Sequence, residues 1–209
     1  MTPEQLLTWI PLVPILAAVG VVAARANPDL REAVSIGAGL ILFLLVAGLA
    51  ATIDWAAPPT LVLATPVAGL SLALTPEPLG MLFALVASLL WPITTVYAVG
   101  YMRAHHEQNQ TRFYTAFAVS IAAAMCIALA GNMLTLFVFY EVLSVATYPL
   151  VTHAGTDKAK RAGRVYLGLL MGTSIGFLLL AMVWTWSLTG TLDFTPGGVF
   201  SDEVSSGVL

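Results

Sequence analysis

One carboxylate in this chain sits where a carboxylate is costly. Glu141 lies within Leu136-Phe-Val-Phe-Tyr-Glu141-Val-Leu-Ser144, near the middle of a run apolar and long enough to cross a bilayer. A charged side chain at the centre of a span costs about 2.5–3.5 kcal/mol on insertion scales. Glu141 must therefore hold a proton, meet a cation or touch water, and all three states suit a group that takes up and releases protons. The plainer alternative is a protonated glutamate that bonds a neighbouring helix. Helical spacing puts Ser144, Tyr148 and Thr152 on the Glu141 face, with His153 just beyond the helix end. The other half of that face carries Leu134, Phe137 and Val138. Such a one-sided polar track would carry a file of water to Glu141 from one side only. Hydroxyls near a helix end can equally well bond the backbone or lipid headgroups.

Other residues invite weaker readings. Asp157-Lys158-Ala-Lys160-Arg161-Ala-Gly-Arg164 reads as a short interfacial helix whose charges orient the chain or tune nearby titrating groups. Gly168, Gly172 and Gly176 recur every four residues, a spacing that lets another helix approach closely, either helix five or another subunit. His105 and His106 beside Glu107 read as a solvated loop before a metal site. Pro92 and Pro149 each remove a backbone donor inside a span, which membrane helices tolerate. No nucleotide loop, nucleophile triad or metal cluster is recognisable, so no cofactor is expected. With no basic tract of the kind that binds phosphodiesters, no nucleic-acid partner is expected either.

The elements that position these residues follow from hydropathy. Of the 209 residues, 59% are hydrophobic and 9% charged, too few charges to coat a water-facing surface. A span needs about 20 mostly apolar residues. Six runs qualify: Leu6–Ala24, Ala33–Ile53, Pro78–Met102, Arg112–Ala130, Asn132–Thr152 and Arg164–Leu188. The predicted fold is thus all-α, with about six transmembrane helices. Its first segment is read as retained rather than cleaved, because Met1–Thr8 lacks the positive charge of a signal peptide. The predicted units are helices one and two over 1–54, a linking segment over 55–77, helices three to six over 78–189 and an acidic tail over 190–209. Within the linking segment, Leu61–Ala64 and Leu70–Leu74 are too short to span and read as a small β-hairpin.

Charge gives the orientation. Arg25, Arg31, Arg103, Arg112, Lys158, Lys160, Arg161 and Arg164 all fall in loops that six spans place on one side. The other side carries no Lys or Arg, only Glu4, Asp54, Glu77, Asp193, Asp202 and Glu203. By the positive-inside rule the basic loops are cytoplasmic, both termini and the hairpin lie outside, and the chain is a multi-pass protein of the cell (inner) membrane.

Leu136 through His153 resembles the fifth helix of the antiporter-like proton-translocating family, which includes the large membrane subunits of complex I, Mrp-type antiporter subunits and related hydrogenase subunits. Gly155–Leu170 resembles the start of the family's sixth helix, Leu70–Gly80 the approach to its third, and Thr189–Phe194 the segment after its sixth. The likeness is greatest to the D-type subunits of Mrp antiporters. It implies that Glu141 is the family's helix-five glutamate, which pairs with a lysine on a seventh helix. None of the six spans predicted here contains a lysine, so the resemblance covers only the N-terminal portion of such a subunit. It implies one piece of a split subunit, a truncated chain or an accessory protein. The expected function is proton translocation within a multi-subunit cation/proton antiporter. The expected partners are other membrane subunits, including one that supplies the lysine, together with protons, Na+ or K+, and the lipid bilayer. The alternative is a structural or assembly subunit that moves no ions.

Overall fold

The computed structural model describes residues 1–67, 69–195 and 197–200. Asp202 and Glu203 of the acidic tail lie outside these residues. The chain forms α1 (Pro3–Ala23), α2 (Pro28–Thr52), β1 (Leu61–Val67), β2 (Leu70–Leu74), α3 (Pro78–Ala104), α4 (Gln110–Ala128), α5 (Met133–Val151) and α6 (Asp157–Thr173). A π-helical segment, Ser174–Leu179, joins α6 to α7 (Leu180–Thr189) without a break. Residues Asp157–Thr189 thus make one continuous rod, and among the described residues six helices are long and apolar enough to cross a membrane.

The starts of α1 and α2 differ from the hydropathy reading, for local reasons. Thr2 and Gln5 form a reciprocal capping box and Pro3 opens α1, so the helix begins three residues before Leu6. Asn27 caps α2 through a bond from the Leu30 amide (3.2 Å) and Pro28 takes the first turn, so α2 begins five residues before Ala33. The predicted interfacial helix at Asp157 is not separate. Thr156 caps it, and it runs straight into the sixth span.

α1 to α4 form the core. Leu7 and Ile10 of α1 meet Leu42, Val46 and Leu49 of α2, Met81, Ala84 and Trp91 of α3, and Met125 and Cys126 of α4. Two glycines permit close approach. A Cβ at Gly39 would lie 3.0 Å from the Pro92 ring of α3, and one at Gly80 would run into the carbonyl oxygen of Ala128 at the end of α4. α5 packs against α4, and α6 against α5.

The hairpin is present, with β1 reaching Val67 rather than Ala64. It pairs antiparallel from Leu61↔Leu74 to Val67↔Leu70 through two irregularities in register, and Gly69 (φ +83°) takes the turn. At the same end of the bundle, Leu74 bridges Ala130, and Asn132 bridges Asp193. Asn132 caps α5 by accepting from the Thr135 amide (2.8 Å), donates to the Ser71 carbonyl (2.8 Å) and is itself buried. The hairpin, the α4–α5 turn and the segment after α7 are thereby bound to the start of α5.

Candidate functional site

Glu141 is the ninth of the nineteen residues of α5, so the cap at Asn132 fixes its depth. Both of its carboxylate oxygens are buried and neither has a hydrogen-bond partner among the described residues. Buried polar atoms are nearly always satisfied, and an exception calls for an unseen partner such as water, a proton or another chain.

α6 runs antiparallel beside the C-terminal half of α5. Thr147 Oγ1 lies 3.3 Å from the Tyr166 hydroxyl, and Gly163 sits against Tyr148 and Thr152. A Cβ at Gly163 would be 3.0 Å from the Tyr148 ring and would overlap the Thr152 methyl. Six residues back along α5 from Thr147 is Glu141; the same count forward along α6 from Tyr166 is Gly172. Glu141 therefore lies level with Gly172 and the start of the π segment. Single π turns recur at functional sites, because their looser winding leaves backbone groups less tightly paired.

The polar track is partly spent on its own helix. Ser144 Oγ donates to the Tyr140 carbonyl (2.9 Å) and Thr152 Oγ1 to the Tyr148 carbonyl (2.9 Å), and both side chains are buried. A hydroxyl that donates once keeps its acceptor lone pairs, so each can still accept a hydrogen bond from water. At the mouth, His153 Nε2 stands 3.7 Å from Glu107 Oε2, beyond hydrogen-bonding range, and both ring nitrogens are buried without a partner. The Phe113 ring meets the imidazole edge-on at 5.6 Å, and Arg112 donates to the His153 carbonyl (3.0 Å).

Other predicted site residues lie elsewhere. Lys158, Lys160, Arg161 and Arg164 line an open depression of about 500 Å³ in the first turns of α6. Gly172 is eight positions on from Arg164, about 12 Å along the axis, so this group does not touch Glu141. Gly168 and Gly172 face open space, as does the half-buried Gly176, and within this chain the close contact of α6 on α5 is made by Gly163 instead. His105 bonds the Tyr101 carbonyl through Nδ1 (2.9 Å) and stacks on the Tyr101 ring at 4.3 Å. Among the described residues no group of three His, Cys, Asp or Glu could hold a metal.

The hydropathy reading misses a buried ionic cluster where the α1–α2 and α3–α4 loops meet. Arg31 and Glu32 are 5% and 4% exposed, although hydropathy alone places both in a loop. Arg103 of α3 bonds both carboxylate oxygens of Glu32 and reaches Asp29. Arg31 donates to Gln110 (2.6 Å) and Thr111 (3.2 Å), with its guanidinium 5.3 Å from the Tyr114 ring centroid. The Asn27-Pro28 capping signal could have revealed that α2 carries these charges into the packed region.

Six apolar helices with a mid-helix carboxylate define a multi-pass membrane protein. The transmembrane family profile described as "NADH:quinone oxidoreductase/Mrp antiporter, TM" matches residues 130–200, the segment that holds Glu141 and the rod from α6 to α7. The NADH-quinone oxidoreductase subunit N of Campylobacter jejuni (strain RM1221) is 28% identical over 103 residues, 49% of this chain and 22% of that protein. The D-type Na(+)/H(+) antiporter subunit of Alkalihalophilus pseudofirmus is 31% identical over 104 residues, 49% of this chain and 21% of that protein. A chain from the membrane-bound sulfane sulfur reductase, an archaeal respiratory membrane complex, superposes with a TM-score of 0.73 at 20% identity, over 90% of this chain and 38% of that one, a likeness of fold. Residues 130–200 are thus similar to the antiporter-like membrane subunits. It spans about a fifth of the length of the two sequence relatives.

Proposed function

We propose that this chain is the Glu-bearing portion of a proton-translocating subunit in a multi-subunit cation/proton antiporter of the Mrp type. Glu141 is its intramembrane proton acceptor. The observation that carries the reading is the pair of buried, unpartnered carboxylate oxygens at mid-helix. Protons reach Glu141 from the basic, cytoplasmic end past His153, Thr152, Tyr148 and Ser144. The hairpin and both ends of the chain lie on the outer side of the inner membrane, consistent with eight basic residues at one end and none at the other. A cation for Glu141 comes from a further span or a neighbouring subunit, because the lysines of the chain, Lys158 and Lys160, stand in the first turn of α6. The open Gly168–Gly172 face is where such a neighbour packs, and Lys158, Lys160, Arg161 and Arg164 couple to its charges at the surface.

The test is proton and Na+ flux in vesicles that carry the whole complex with Glu141→Gln. The amide keeps the shape and removes the titrating group. Flux is expected to fall to background while the subunits still assemble. Normal flux with Gln at 141 would remove this carboxyl group from the mechanism.

A further inference from the structure

A cleft of about 510 Å³ opens between the end of α1, the first half of α4 and the inner part of α5. Its mouth carries Arg25 and Arg112, and its walls include Val22, Ala116, Val119 and Ala146. We propose that this cleft binds one anionic phospholipid, with its phosphate between the two arginines and an acyl chain along the apolar wall.

Three observations carry this. First, the charge is uncompensated. Arg31 and Arg103 are tied to carboxylates, whereas among the described residues neither Arg25 nor Arg112 forms an ion pair. No acidic residue lines the cleft, and the described hydrogen bond from Arg112 goes to a backbone carbonyl. Second, the order of chemistry with depth is that of a lipid. Arg112 is the third residue of α4, and Val119 is seven residues deeper, about 10 Å along a helix. Charge thus sits at the helix ends, and apolar surface follows below it. Basic pockets between transmembrane helices are established lodgings for anionic headgroups. Third, Thr115, one turn below Arg112, has a buried hydroxyl with no partner. A turn of the Thr115 side chain would bring that hydroxyl to the ester of a lipid in the cleft. The volume is also within the range of small-molecule pockets, about 300–1,000 Å³. The site does not depend on any role for Glu141.

The test is lipid retention by the purified full chain, measured by native mass spectrometry from vesicles of mixed phosphatidylglycerol and phosphatidylcholine. One phosphatidylglycerol per chain should survive delipidation. Arg25→Ala with Arg112→Ala should cut the preference for the anionic lipid about 30-fold, about fivefold for each arginine. Arg161→Ala with Arg164→Ala, on the separate α6 patch, should leave that lipid in place. Arg112→Ala also removes the bond to the His153 carbonyl, so Ala146→Trp provides an independent arm. It keeps both arginines, fills the apolar wall and should expel the lipid. Equal retention of both lipids, retention unchanged in both altered forms, or displacement by glycerol phosphate as readily as by whole lipid would each overturn the proposal. Photocrosslinking from position 146 to a protein rather than to lipid, in native membranes, would overturn it too.

Discussion

The four helices α1 to α4 and the arm formed by α5 with the α6–α7 rod are built from similar residues but packed very differently. In the most apolar window of each helix, 33–44% of residues are buried in α1 to α4, against 11% in α5 and in the rod. The first group shares one core around Leu7, Leu42, Trp91 and Met125. The arm has few buried residues, and several are polar: Thr135, Ser144, Ser174 and Thr185. The family profile falls on this arm and the turn before it, residues 130–200. A scaffold needs only apolar side chains of about the right volume, which many sequences supply. An arm whose few buried positions are largely polar needs particular residues at particular depths, and that leaves a recognisable pattern.

The largest effect is expected where α3 meets the end of α4. Gly80→Val drives a side chain into the Ala128 carbonyl, which is backbone and cannot rotate away. Overpacking costs about 1–3 kcal/mol where side chains can yield, and here they cannot. The variant should melt well below the parent in detergent, followed by circular dichroism, or fail to give a single species on size exclusion. Parent-like melting would mean that α3 and α4 are free to move apart, and that the core is no more constrained than the arm.

An intermediate effect is expected at the one tight contact inside the arm. Gly163→Val would collide with the Thr152 methyl and the Tyr148 ring, both side chains that can give. The expected loss is about 1–3 kcal/mol, confined to the arm. Hydrogen exchange should therefore rise along Asp157–Thr173 while α1 to α4 stay protected. Uniform loosening of all helices would show that arm and core form one cooperative unit.

What the sequence made legible follows the same division. Six spans, the hairpin, the grouping of the basic loops at one end and the mid-helix position of Glu141 could all be read from hydropathy and spacing, because each depends on the order of segments along the chain and not on which helices touch. The cluster of Arg31, Glu32 and Arg103 could not, because charged residues next to a span look like loop until a second helix supplies the partner 71 residues away. The glycines left their partner open for a related reason. Four-residue spacing marks a face but says nothing of what lies opposite, and the contact with α5 falls on Gly163, outside the series of Gly168, Gly172 and Gly176. The π segment at Ser174–Leu179 has no composition signal at all.

The smallest expected effect probes the arm's polar track. Ser144 donates to its own helix, and its buried hydroxyl keeps acceptor capacity toward water. Ser144→Ala removes no bond that holds helices together, so melting should shift by less than about 0.5–1.5 kcal/mol of equivalent stability, the net worth of one hydrogen bond. Proton flux responds differently if water passes this point on its way to Glu141. Losing one acceptor for a water should slow flux about two- to tenfold, which is the same energy expressed as a rate. Flux unchanged in Ser144→Ala, while Glu141→Gln abolishes it, would leave the carboxyl group in place but reroute its proton supply, most simply past the π segment that lies level with it. That result would also weaken the contrast between arm and core, because the polar residues of α5 would then be packing like any others.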